Sequence, residues 1–509
     1  MLRPAKSQLP YRSAAVVPSL AAALFLGALG LGATMAAFGN APNGTDAPAK
    51  IPADLNELRH LIARTGFGCS EAELTRIRGL TYEEAVDRLL DEIRIAPCIM
   101  PPEEIQHAAN GTLAGDGKQS SPEEQRQQRE RRREHGEMLK AWWLTELLQT
   151  SSPITEHLTL FWHNHFTSSL RKVRLPALMW QQNALFRRHA AGNFAELLRA
   201  VCRDPAMLIY LDTQQNNRKQ PNENFARELL ELFTLGEGHF TESDVKAAAR
   251  AFTGWRVDRE TGEFRIVERQ HDGGEKQFLG KTGNFGGDDI VSILLANSRT
   301  AEHIVEKFWR EFVSDSSAPS DRPRAEIVRL AGVLRAADYQ LRPLLEALFT
   351  SAAFRERKNR GVLIQSPIEL VVGTLRRHEL AIDEPARLLR LCRGLGQDLF
   401  DPPNVKGWPG GREWITSSSL LLRQQFTVQL VGGDRDGRKM EDKRVEMKRS
   451  SSNAAKLAEW FAGLGDDSGA RLTRARTLMF ALPELIPIAE RDPQSQVSDW
   501  LTDPVYQLK

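Results

Sequence analysis

Helix-start signals recur along this chain, and they constrain its fold more than any other feature. Thr81 with Glu84 forms a capping box leading into Ala85, Leu89 and Leu90. Ser121-Pro122-Glu123-Glu124 joins an N-cap, a proline at the first helical position and a reciprocal Glu. Ser366-Pro367-Ile368-Glu369 repeats that pattern, and Thr241 with Asp244 is a close variant. Apolar residues follow at helical spacing, as in Leu139, Trp142, Trp143, Leu147 and in Ile304, Phe308, Phe312. One interruption is β-like: Trp255 to Glu268 alternates around Glu260-Thr261-Gly262, which predicts a short hairpin. The expected fold is mainly α, a large multi-helix domain with a short β-hairpin insertion.

The chain's 509 residues allow several domains or one large one. Arg3, Lys6 and Arg12 precede an apolar run from Ala14 to Phe38, the pattern of an export signal. Residues 1–38 therefore read as a signal peptide or, if uncut, a membrane anchor, and 39–53 as a linker. The helical domain fills 54–509, and a polar surface insertion is expected at 432–453. The expected location is outside the cytoplasm, periplasmic or secreted. Asn110 to Glu137 is low in hydrophobicity with mixed charge, and reads as a solvated helix face. With 68 basic against 66 acidic residues, the balance argues against a dedicated nucleic-acid binder. Four scattered cysteines with no Cys-x-x-Cys pair exclude a disulfide scaffold and that kind of zinc site. In an exported domain Cys69 and Cys98 could still pair. No Gly-x-Ser-x-Gly nucleophile motif is present.

Five motifs stand out in order. They are Leu160 to Phe166 with His163-Asn164-His165, Asn222 to Gly236, Ala251 to Trp255, His271-Asp272, and the stretch from Gly396-Gln397 to Pro402–Gly411. Together they resemble the bacterial family called domain of unknown function 1800, over nearly the whole chain beyond the linker. The resemblance implies an exported or envelope protein, often encoded beside a partner of the 1501 family of unknown function. It implies no established reaction.

The chemistry must therefore come from the residues. His163 and His165 are the most ligand-like pair. On extended backbone they would share a face and could hold one divalent metal ion. On a helix their side chains stand about 200° apart, and both would act as capping groups near a C-terminus. Whether the helix from Pro153 ends near His163 decides between the two. In Asn222 to Gly236, read as one helix, Glu223, Arg227 and Glu231 form a charge ladder. Glu228 stands outside it, a general base or metal ligand on one reading and part of a buried polar network on the other. His271, Asp272 and Lys276 offer acid, base and anion-binding groups in a Gly-rich loop, or simply a turn. Asn404, Lys406 and Trp408 sit in a segment fixed by prolines and glycines, with Arg227 as a further substrate-binding candidate.

Two functions fit these observations. One is an exported hydrolase or lyase acting on an envelope or extracellular polymer, with Glu228, His271, Asp272 and Lys406 catalytic and His163 and His165 on a metal. The other is a non-enzymatic envelope protein binding its 1501-family partner through a helical surface. Convergence of the polar motif residues in one concave pocket favours the first, and dispersal over helix joints the second.

Overall fold

Helices begin where a side chain can take the free N–H groups of the first turn. A computed structural model of the chain describes residues 51–107, 121–258, 261–315, 324–380, 384–430, 453–486 and 493–509. All four sequence-derived starts carry reciprocal capping boxes, at Thr81, Ser121, Thr241 and Ser366, and a fifth occurs at Ser70. The apolar N-terminal run and almost all of the 432–453 insertion lie outside the described residues.

The first group of helices is α1 (Leu55–Thr65), α2 (Glu71–Ile77), α3 (Tyr82–Asp91), α4 (Glu103–His107) and the long α5 (Pro122–Gln149). Next come α6 (Pro153–His165), α7 (Leu170–Val173), α8 (Pro176–Arg188), α9 (Phe194–Arg203), α10 (Pro205–Tyr210) and α11 (Asn224–Glu228). A π-helical turn, Leu229–Thr234, extends α11, and α12 (Glu242–Ala251) precedes the strands. After them run α13 (Gly287–Ala296), α14 (Ser298–Phe312), α15 (Arg324–Ala336), α16 (Leu341–Phe349), α17 (Ala352–Arg355) and α18 (Pro367–Arg377). The last are α19 (Pro385–Gly394), α20 (Ser417–Leu430), α21 (453–462), α22 (Ser468–Met479) and α23 (Pro493–Leu501).

The predicted hairpin is present: β1 (Trp255–Val257) pairs antiparallel with β2 (Phe264–Ile266). A second hairpin, β3 (Lys276–Phe278) with β4 (Lys281–Gly283), which the sequence did not predict, begins at the end of the Gly-rich loop. Its two-residue turn places Leu279 and Gly280 at φ 46° and 76°, as a type I′ turn requires. Asp244 secures the turn by accepting a hydrogen bond from Leu279 N at 2.7 Å.

At the centre lies α6. Of its 13 residues only Asn164 is not buried. A helix enclosed all round must satisfy its polar groups internally. Glu156 therefore takes Arg187 Nε at 2.6 Å and Nη2 at 2.8 Å, and accepts Trp143 Nε1 at 3.0 Å. No helix among the described residues is long and apolar enough to cross a membrane.

Candidate functional site

The helix α6 runs through both motif histidines, and Phe166 N still bonds to Trp162 O at 2.8 Å. Their rings consequently enter separate shells. His163 lies among Trp143, Phe186, Phe400 and Trp408, with ring centroids 5.1–5.9 Å away. His165 lies among Phe161, Trp162, Phe166, Phe233 and His303. The shells have no residue in common, so a metal ion held by both rings does not fit this geometry. All four ring nitrogens are buried without a hydrogen-bond partner. Burial pushes the His163 imidazole down to about 4 and His165 well below the usual range, so both are neutral at pH 7. The aromatic faces around them are the available weak acceptors for their N–H groups.

Between them, Asn164 makes the junction. Its Oδ1 accepts Trp408 N at 2.6 Å, which ties the end of α6 to the loop 402–414. Gly407 is required here: its φ is +90°, and a Cβ would stand 2.2 Å from Asn164 Oδ1. Trp408 and Trp414 are both buried, so neither offers a flat exposed surface to a sugar. Asn404 is exposed and its Oδ1 accepts Lys406 N at 2.8 Å within the same turn. Lys406 is exposed and pairs with Glu237 at 3.3 Å.

The single helix expected over Asn222 to Gly236 is instead α11 followed by the π turn. Leu235 N and Gly236 N both reach back to Leu230 O. Widening the helix frees inner carbonyls: Leu232 O meets His303 Nε2 at 3.0 Å, while Phe233 O lies near His165 without bonding it. Arg227 pairs with Glu223 as the ladder predicted, but its second partner is Glu242 at 2.7 Å. Glu228 is half-buried, and burial with the neighbouring Glu231 charge raises its pKa against the pull of Lys406 and Arg227. His271 and Asp272 lie in a different setting. Asp272 accepts Arg250 Nε at 2.7 Å, and that bond outweighs burial to hold its carboxyl at about 2. His271 Nδ1 meets Thr253 O, and Lys276 donates to the carbonyls of Asp272 and Gly274. These are the bonds of a braced turn. Glu228 and Lys406 share a neighbourhood; His163 touches that loop only through the Trp408 ring, and His271 lies against Thr253.

Among the described residues, one group has metal-ligand chemistry: His157, Glu311 and Glu369, with ligand atoms within 4.8 Å of one another. His157 Nε2 lies 2.7 Å from Glu311 Oε1, and the Lys509 ammonium pairs with Glu369 and stands 3.8 Å from Glu311. The Lys509 ammonium already supplies the cation between the two carboxylates. All four cysteines are free, and Cys69 is buried while Cys98 is exposed.

The concave surface that the motifs did not reveal is a cleft of about 880 Å³ beside the first half of α5. Gln125, Gln128, Arg129, Arg132, Arg133, Gly136, Glu137 and Lys140 line it, a spacing of threes and fours that keeps one helix face. The stripe runs about 22 Å at 1.5 Å per residue. Arg171, Arg174 and Arg393 complete the cation set, giving seven basic side chains against Glu137, Asp398 and Asp401. Those three acids are already engaged. Lys140 Nζ, buried at the base, donates to Asp398 at 2.8 Å and Asp401 at 2.7 Å. Ser169 Oγ and Arg171 N also donate to Asp401, and Arg393 bonds Asp398 and Glu137. Gly136 admits the Leu170 side chain at the cleft floor, where a Cβ would meet it at 2.9 Å.

Fold and site together define a mainly helical domain whose paired motif histidines are built into its interior and whose charged concavity lies on its surface. The chain belongs to the family described as protein of unknown function (DUF1800), whose model matches residues 60–501. No curated protein and no solved structure matches it.

Proposed function

We propose that this chain is an exported, non-catalytic binding protein, and that the α5 cleft holds a linear polyanion of the envelope or extracellular matrix. One observation carries the reading: along the cleft, a stripe about 22 Å long on α5 and its neighbours bring together seven basic side chains and three acids, and because those acids pair with Lys140, Arg171 and Arg393 of the same set, a surplus of four positive charges is left. Guanidinium groups match carboxylate and sulfate geometry, and the stripe's length suits several repeat units rather than one small ligand. The hydrolase or lyase reading has only Glu228 beside Lys406 to draw on, because the candidate histidines are enclosed or tied to backbone.

The test uses the full chain with polygalacturonate, dextran sulfate, neutral dextran and a DNA duplex as probes. An acidic polysaccharide should bind, weaken with salt, and lose at least about tenfold in affinity when Arg129, Arg133 and Arg171 are changed to Glu. Neutral dextran should not bind. Equal binding by the triple variant, or binding of DNA alone, would overturn the proposal. Capture of the 1501-family partner instead would assign the cleft to a protein ligand. Export has its own test: Met1 to Pro52 fused to a reporter active only outside the cytoplasm should give activity, and a silent fusion defeats it.

A further inference from the structure

Among the large side chains of the core, Arg59 on α1 has an unusual position. It is 3 % exposed, its Nε is without a partner, and no hydrogen bond or ion pair of its guanidinium is found among the described residues. Other buried arginines are satisfied differently. Arg64 donates to the carbonyls of Phe312 and Val313, Arg187 to Glu156, and Arg423 to Gln507 and Gln365. A buried charge without a partner is among the costliest arrangements in a protein interior.

Arg59 lines a small pocket with Gly66, Gly68, Glu369, Arg377 and Lys509. Arg377 gives one bond, Nη1 to Tyr506 Oη at 2.7 Å, and its Nε is also unpartnered. Gly68, at φ +104°, leaves the opening bare, since a Cβ there would come within 2.7 Å of Arg377 Nη2. The one acidic side chain on the wall is engaged: Glu369 pairs with Lys509 and accepts Ser366 N at 2.8 Å. The neighbouring Cys69 thiol supplies no charge, because burial and Glu73 push it up to about 12. The space suits a body about the size of one water molecule. A water would meet the hydrogen bonds but leave the charge of two guanidiniums uncompensated.

We propose that one small monovalent anion of the halide class occupies this pocket as counter-ion to Arg59 and Arg377. The site is separate from the α5 cleft and does not depend on its reading. Crystals of the full chain grown in sodium bromide should show an anomalous bromide peak against the Arg59 guanidinium. In solution, exchanging gluconate for chloride at constant ionic strength should raise Tm by roughly 2 °C. Arg59→Met should remove most of that increment, because it leaves the anion only Arg377, which already spends Nη1 on Tyr506. If that variant fails to fold, the bromide map and the wild-type salt comparison still decide. A water alone in the pocket, equal melting in both salts, or the same increment in Arg59→Met would each overturn the proposal.

Discussion

Helices α5 and α6 are neighbours in sequence and opposites in physical design. Almost every side chain of α6 is enclosed, and its histidines, glutamate and asparagine are spent on internal contacts. The second half of α5, with Leu139, Trp142, Trp143 and Leu147, is enclosed in the same way. Its first half projects an arginine stripe into the cleft. Distinctive letters in this chain therefore mark packing that tolerates few alternatives, whereas the surface able to hold a ligand is written in common ones. A rare motif is a sign of constraint, and constraint arises from packing as readily as from chemistry.

The contrast can be broken first at Arg187. Replacing it with Met leaves Glu156 buried beside Trp143, and removing one partner of such a pair costs about 3–5 kcal/mol. Urea unfolding measures this, and a loss below about 1 kcal/mol would show that α6 does not depend on its internal ion pair. The next effect is a pH dependence. The His163 pKa falls from the ordinary 6.5 to about 4 on folding, because burial disfavours the charged ring. A depressed pKa gives stability that is present above pH 6.5 and lost as pH falls toward 4, worth about 3 kcal/mol at this site. The enclosed His303 is pushed down for the same leading reason and adds in the same direction. His163→Phe should flatten the curve of unfolding free energy against pH, and an unchanged slope would contradict the enclosed, neutral ring. The smallest effect belongs to the first half of α5, the arm that borders the cleft. Arg129→Ala and Arg133→Ala should each change stability by no more than about 0.5 kcal/mol, while trypsin should cut native protein first within 126–133. Complete resistance there would mean that the arm is covered.

Local chemistry made much of the fold legible. Capping boxes at Thr81, Ser121, Thr241 and Ser366 are short-range devices, as is the pairing of β1 with β2. The π turn was hidden because Leu229, Leu232 and Phe233 satisfy an α-helical period equally well, and the widening shows only in the backbone bonds to Leu230 O. The second hairpin was hidden because its turn places Leu279 at φ 46°, and a leucine is a poor advertisement for such a turn. For the site, the sequence correctly isolated His163 and His165 as a question about one helix end, and the helix turned out to continue. The arginine stripe was readable from its spacing of threes and fours, but mixed charge made it look like ordinary solvated surface.

The clasp of Asn164 on Trp408 spans 244 residues of chain. Such a contact forms only after a large loop has closed, which places it among the slow steps of assembly. Until that loop closes, the box around His163 lacks its Phe400 and Trp408 sides, so the burial that lowers the ring's pKa is incomplete. Docking of the glycine-hinged loop completes the enclosure of the ring, so this long-range contact also finishes the burial that keeps the imidazole neutral.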